Sequence, residues 1–168
     1  MIDRRRATHL ALAALCVAVL PRAALAQQGF QRFVPLLVDL PGWKAAKPDG
    51  MAMEMAGSSM ITATRNYERG TAKVNVSVLM GAPAQGALAA TNSGFKMETS
   101  DLRMSTATVD GMQVSKTYTI SNKTGAILVA LTNNAVLTLS YNGVDEEEAM
   151  GLAKKFDWKG IQAQAQAK

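Results

Sequence analysis

The stretch AILVALTNNAVLTLSY, Ala126 to Tyr141, decides the architecture of the chain. Two apolar runs, residues 126–131 and 135–141, flank Thr132-Asn133-Asn134 as the arms of a hairpin flank its turn. In the first arm Ile127, Val129 and Leu131 project one way and Ala126, Leu128 and Ala130 the other, because side chains alternate along a strand. Both sets are apolar, and a strand apolar on both faces is covered on both faces. The arm is therefore expected in the interior of a sheet, with a packed layer on each side.

Two more hairpins precede it. RMSTATV (103–109) and MQVSKTYTI (112–120) meet at Asp110-Gly111, a pair that tolerates the positive φ angles of a type I′ turn. That turn sets Val109 opposite Met112 and Ala107 opposite Val114, so these four share a face. Earlier, residues 60–67 and 72–80 flank Glu68-Arg69-Gly70-Thr71. There Val74, Val76, Val78 and Met80 alternate with Asn75 and Ser77, the period of a half-buried strand.

Helices supply the layers. In DEEEAMGLAKKF (145–156), Ala149, Leu152, Ala153 and Phe156 recur at helical spacing and form one apolar stripe. Asp145 is expected to cap the helix, with acids at its start and Lys154-Lys155 at its end, as the helix dipole favours. An alanine-rich stretch between Pro83 and Asn92 reads as a second helix, and DWKGIQAQAQ as a short helical tail with Trp158 and Ile161 facing inward. The expected fold is α+β: a single domain with a central antiparallel sheet of about six strands and helices on its faces, like an α/β/α sandwich.

Four features together resemble the PsbP/Mog1-like domains, including the periplasmic DcrB-type proteins. They are LPGW (Leu40 to Trp43), the hairpin ITATRNYERGTAKVNVSVLMG, the hairpin GAILVALTNNAVLTLSYNG and the closing helix with its acidic start. The resemblance is one of layout over roughly residues 34–161. It implies an antiparallel sheet between helical layers and a non-catalytic accessory role, and it transfers no functional residue.

The first residues carry an address. Arg4-Arg5-Arg6, an apolar run from Leu10 to Leu20 and Ala24-Leu25-Ala26 have the order of a secretory signal peptide, with cleavage expected after Ala26 and a periplasmic destination. The apolar run is shorter than the roughly 20 residues a membrane span requires. The arginines lack the hydrophobic residue that usually follows a twin-arginine pair, and Leu15 stands before Cys16 where lipidation wants a small residue. The expected organisation is a signal at 1–26, a flexible start at 27–32, one domain at 33–162 and a flexible tail at 163–168. Residues 27–168 can bury about two-thirds of their unfolded surface without a disulfide.

Cleavage would take basic residues from 18 to 14 (Arg4, Arg5, Arg6 and Arg22) and acids from 13 to 12 (Asp3), lowering the net charge from +5 to +2. No basic patch is then left for nucleic acid. The only histidine, His9, and the only cysteine, Cys16, would leave as well. That excludes disulfides, thiolate nucleophiles, Cys/His zinc sites and imidazole acid–base catalysis from the processed chain.

The remaining chemistry concentrates in MAMEMAGSSM (51–60). Met51, Met53 and Met55 alternate, so in a strand they share one face, about 6.6 Å from neighbour to neighbour. Methionine fills irregular gaps in cores, and Met80, Met97, Met104, Met112 and Met150 are scattered as in a methionine-tolerant core. Core packing is the reading adopted. The alternatives are a Cu(I) or Ag(I) site using Met51, Met53, Met55 and Met60, with copper as the one cofactor the residues suggest, and an exposed adaptable surface.

Other motifs reduce to structure. Asp145 to Glu148 read as a solvated helix start, since calcium loops space their ligands around a glycine bend. Ser93-Gly94-Phe95-Lys96 and Lys123-Thr124-Gly125 match two marks of penicillin-binding enzymes, but a hairpin fills the interval and Lys123-Thr124-Gly125 reads as a turn. A small carboxylate-dependent hydrolase is the last reading kept, with Glu54 the one acid in apolar company. The functional expectation is an exported, non-catalytic accessory or binding protein of the bacterial cell envelope, whose partner is an envelope protein or a small ligand.

Overall fold

The computed structural model describes residues 29–55, 58–89, 91 and 95–167. The expected signal peptide, with His9 and Cys16, lies outside the described residues, as do Ala56, Ser93 and Lys168. Nine strands form one sheet: β1 (Lys44–Ala45), β2 (Asp49–Met55), β3 (Ser58–Arg69), β4 (Ala72–Met80), β5 (Lys96–Glu98), β6 (Leu102–Val109), β7 (Met112–Thr119), β8 (Thr124–Thr132) and β9 (Ala135–Asn142). Among the described residues, helices α1 (Ala82–Ala89), α2 (Glu146–Ala153) and α3 (Trp158–Gln166) accompany it, besides a helical turn at residues 29–31 and a 3₁₀ turn at Val34–Leu36. The strand order is β1-β3-β4-β9-β8-β7-β6-β5, and β2 pairs with β3 beside β1. Every pairing is antiparallel.

The α+β class is as expected, but the sheet exceeds six strands. Beyond the three hairpins the sheet holds β1, the methionine strand β2 and β5. Two of these are only two and three residues long, too short for a periodic signal, and exist because β3 and β6 offer them an edge.

The hairpins follow their turn chemistry. Asp110 and Gly111 have φ of 52° and 84°, and the turn pairs Val109 with Met112 and Ala107 with Val114. Positive φ at both central residues matches the right-handed strand twist, which is why Asp-Gly suits this site. The β3–β4 hairpin is tighter than expected: Glu68 and Arg69 pair with Lys73 and Ala72, leaving only Gly70-Thr71 as the turn. β8 is interior, as its two apolar faces require, with β9 on one side and β7 on the other.

One face of the sheet, called inner here, carries the main core. Val74, Val76 and Val78 of β4 lie in register with Tyr141, Leu139 and Leu137 of β9, and Ile127 and Val129 of β8 continue two of these rows. Helices α2 and α3 cover β8 and β9 on this side through Ala149, Leu152, Ala153, Trp158 and Ile161, all buried. Tyr118 and Tyr141 stack at 6.3 Å across Gly125, where an added methyl would strike the Thr117 carbonyl and the Tyr141 hydroxyl. On the opposite, outward face α1 packs Ala84 and Leu88 over Val136, Leu79, Leu128 and Ala130.

Residues 29–31, expected to be flexible, are helical, and Phe30 packs against the core. Helix α3 runs into the expected tail, and Arg32 Nη1 donates to the Ala167 carbonyl at 3.0 Å. Between them the chain crosses the sheet edge as a strap that buries Phe33, Leu37, Leu40 and Trp43. Arg65 fastens it by donating to the carbonyls of Leu37 (2.5 Å) and Ala46 (2.8 Å) and to Asp39 (2.5 Å). Tyr67 Oη donates to the Val38 carbonyl at 2.7 Å, and the Arg69 guanidinium lies 4.4 Å from the Trp43 ring centroid.

Asp145 stands at the N-cap of α2, yet its side chain does not bond the helix backbone. It turns instead to Lys123 Nζ at 3.0 Å.

Candidate functional site: the outward sheet face

Strand alternation fixes what the outward face displays. Because Val76 faces the core, Asn75 and Ser77 face away, and the register extends this across the sheet. One row runs Thr106, Ser115, Leu128, Thr138, Ser77, Thr64. The next runs Met104, Thr117, Ala126, Ser140, Asn75, Asn66. From β5 to β9 no charged residue takes an outward position. The charges of this face gather at one corner, in Lys44, Glu68, Lys73 and Asp49. Among the described residues only α1 covers the face, and only at the Leu79–Val136 end.

The small polar groups are linked side by side. Thr64 Oγ1 and Ser77 Oγ are 3.1 Å apart, Asn75 Nδ2 donates to Thr64 Oγ1 at 3.0 Å and to Asn66 Oδ1 at 2.7 Å, and Ser77 Oγ donates to Asn75 Oδ1 at 3.0 Å. Asn142 Nδ2 donates to Thr124 Oγ1 at 3.1 Å. Such pairs hold the amides and hydroxyls in fixed directions while their remaining lone pairs and protons stay available. A groove of about 650 Å³ lies at this end of the face, lined by Asn66, Asn75, Ser140 and Asn142 together with the charged Lys44, Glu68 and Lys73. Away from this charged corner, the neutral donors and acceptors of β5 to β9 suit a partner that offers hydrogen bonds rather than charge.

The methionines stand on this face too, which corrects the expectation that they fill the core. Met51 and Met53 are 48% and 41% exposed. β2 pairs Met51 with Thr62, Met53 with Met60 and Met55 with Ser58, whereas Gly50 and Ala52 take the inward positions. The inner side of β2 has no room for larger groups: a methyl on Gly50 would sit 2.5 Å from the Phe30 ring, and one on Gly29 would meet Ala52 Cβ at 3.2 Å. The N-terminal helical turn occupies the space the methionines were expected to take. Met60 is half-buried on the same face as Met51 and Met53.

The acids have ordinary partners. Glu146 pairs with Lys116 at 2.6 Å, Glu148 with Arg69 at 2.6 Å and Glu98 with Arg103 at 3.0 Å. Glu54, the hydrolase candidate, is exposed on an edge strand opposite Ser59. Among the described residues no three His, Cys, Asp or Glu side chains gather as a metal site. Lys96 lies in β5, three strands from β8, where Thr124-Gly125 begin the strand after a turn with Lys123 at φ 51°. Tyr141 Oη is buried without a hydrogen-bond partner among the described residues, and burial, with Glu146 and Tyr118 nearby, holds its proton to high pH. No helix among the described residues is long and apolar enough to cross a membrane.

What the sequence reading missed is the outward face itself. Its signal was present in the alternation of Ser115, Thr117 and Thr119 with Val114, Lys116 and Tyr118, and of Thr138 and Ser140 with Leu137, Leu139 and Tyr141. No family model matches the chain, no curated protein matches it, and no solved structure matches its fold.

Proposed function

We propose that the chain is an exported, non-catalytic binding protein of the bacterial cell envelope, an accessory of the PsbP/Mog1-like kind, and that it meets its partner with the outward sheet face. One observation carries this reading. The inner face is packed by the helices and the strap, while the outward face from β5 to β9 is uncharged, rich in hydroxyls and largely uncovered among the described residues. An interface of this kind is wet and directional, held by hydrogen bonds and bridging water rather than by long-range charge. Its binding is therefore insensitive to moderate salt.

The experiment is photo-crosslinking in cells from single unnatural residues at Thr117, Thr138 and Ser77, with Glu147 and Gln164, exposed on α2 and α3, as controls off the face. The reading expects one defined partner from the three face positions and none from the controls. Capture from the controls alone would refute it. Export is tested separately by N-terminal sequencing of the natural product: a start at Gln27 agrees with the reading, and a start at Met1 overturns it.

A further inference from the structure

We propose that Met51, Met53 and Met60 form a thioether site for a soft monovalent cation, Cu(I) or its analogue Ag(I). The inference stands apart from the proposed function, since it uses the β2 edge and not the hydroxyl rows.

The register brings the three together. Met53 lies directly opposite Met60, and Met51, opposite Thr62, is its diagonal neighbour. Directly opposed residues have Cβ atoms about 5 Å apart, diagonal ones about 7–8 Å, and same-face neighbours on one strand about 6.6 Å. Each sulfur sits two bonds beyond its Cβ on a chain with three rotatable bonds, so three side chains on a triangle of that size reach one common point. Met51 and Met53 are about half in water, which leaves them free to turn.

The chemistry of the neighbourhood selects the ion. Thioethers are neutral and polarisable, so they favour Cu(I) over hard divalent ions. The surrounding outward positions, Thr62 and Leu79, bring neither carboxylate nor imidazole. Asp49 ends the row beyond Met51, its Oδ1 accepting from Gly50 N at 2.7 Å; it contributes negative charge nearby without completing a hard-ion set. A core role does not explain two large apolar side chains left in water on an edge strand. A cation that gathers their sulfurs does.

The test is anaerobic titration of the full chain with Cu(I) against a colorimetric Cu(I) chelator, repeated with Ag(I) by calorimetry. The proposal expects one equivalent at sub-micromolar affinity. The variant M51L/M53L/M60L keeps the apolar surface but removes the sulfurs, and should weaken binding about 100-fold or more with an unchanged melting curve. The variant M97L/M104L removes the other cross-strand methionine pair and should leave the affinity within about twofold. Absence of binding at micromolar Cu(I), retention of affinity by the triple variant, or its loss in M97L/M104L alone would each overturn the assignment.

Discussion

Replacing Met51 and Met53 together by serine measures which way β2 faces. Roughly half of each side chain is already in water, at 48% and 41% exposure. Full burial of a methionine stabilises by about 1.5–3 kcal/mol, so the half-buried pair contributes about 1 kcal/mol each, and residual burial in the unfolded chain reduces this further. The expected loss is about 2 kcal/mol for the double variant. In a packed core the same change would cost about 5 kcal/mol or more, because each site would lose its full transfer energy and then hold an unsatisfied hydroxyl. The converse change is Ala52→Leu, which drives a larger side chain into the side of β2 where Gly29 and Phe30 already sit. It is expected to cost about 1–3 kcal/mol through overpacking. Urea denaturation of the three chains, with slopes compared to confirm unchanged compactness, gives both numbers. A double variant that loses more than about 4 kcal/mol while Ala52→Leu is neutral would show that the strand presents its other face to the core, and the argument for an outward methionine patch would collapse.

Three further outcomes follow from the inner face. Burial raises the Tyr67 pKa from 10.0 to about 12. The folded chain therefore keeps this proton where the unfolded chain has released it. Its contribution is intact below pH 10 and declines as pH rises toward 12, by about 1.4 kcal/mol per pH unit. Denaturation series from pH 9 to 11.5 should show a shallower decline for Tyr67→Phe than for the unaltered chain, and equal slopes would contradict the assignment. At neutral pH the same substitution leaves the Val38 carbonyl without its 2.7 Å donor, and should cost about 1–2 kcal/mol. Gly125→Ala should destabilise by about 1–3 kcal/mol, because its methyl meets the Thr117 carbonyl and the Tyr141 hydroxyl; a thermal melt unchanged from the parent would mean that β7 and β9 yield more readily than the stacked tyrosines suggest.

Local rules made most of the fold legible. Asp110-Gly111 defined its hairpin to the residue, and the stripe Ala149, Leu152, Ala153 and Phe156 is buried as its spacing required. The methionine row was read correctly as a strand but assigned to the wrong side. What settles its direction is the turn at Gly29-Phe30, some twenty residues upstream, and no periodicity within β2 reports it. The small residues Gly50 and Ala52 between the methionines were the available sign, since the side of a strand that meets another backbone closely must carry small groups. The strap was hidden for the same reason: Arg65 reaches Leu37 and Ala46 through contacts that no spacing encodes. The hydroxyl rows were visible as polar positions. Their alignment into a continuous face depended on the β4–β9 pairing, which only the assembled sheet supplies.

That pairing has a kinetic consequence. β5 to β9 follow one another across the sheet, and β2 to β4 do the same on the other side, so each arm assembles from neighbours in the chain. Among the strand pairings only the Val76–Leu139 seam unites distant segments, and closing so long a loop costs entropy before any contact rewards it. The two arms should collapse early and the seam should zip last. Until it does, each arm presents a bare strand edge, which makes the interval before closure the moment when this chain is most exposed to pairing with a stranger.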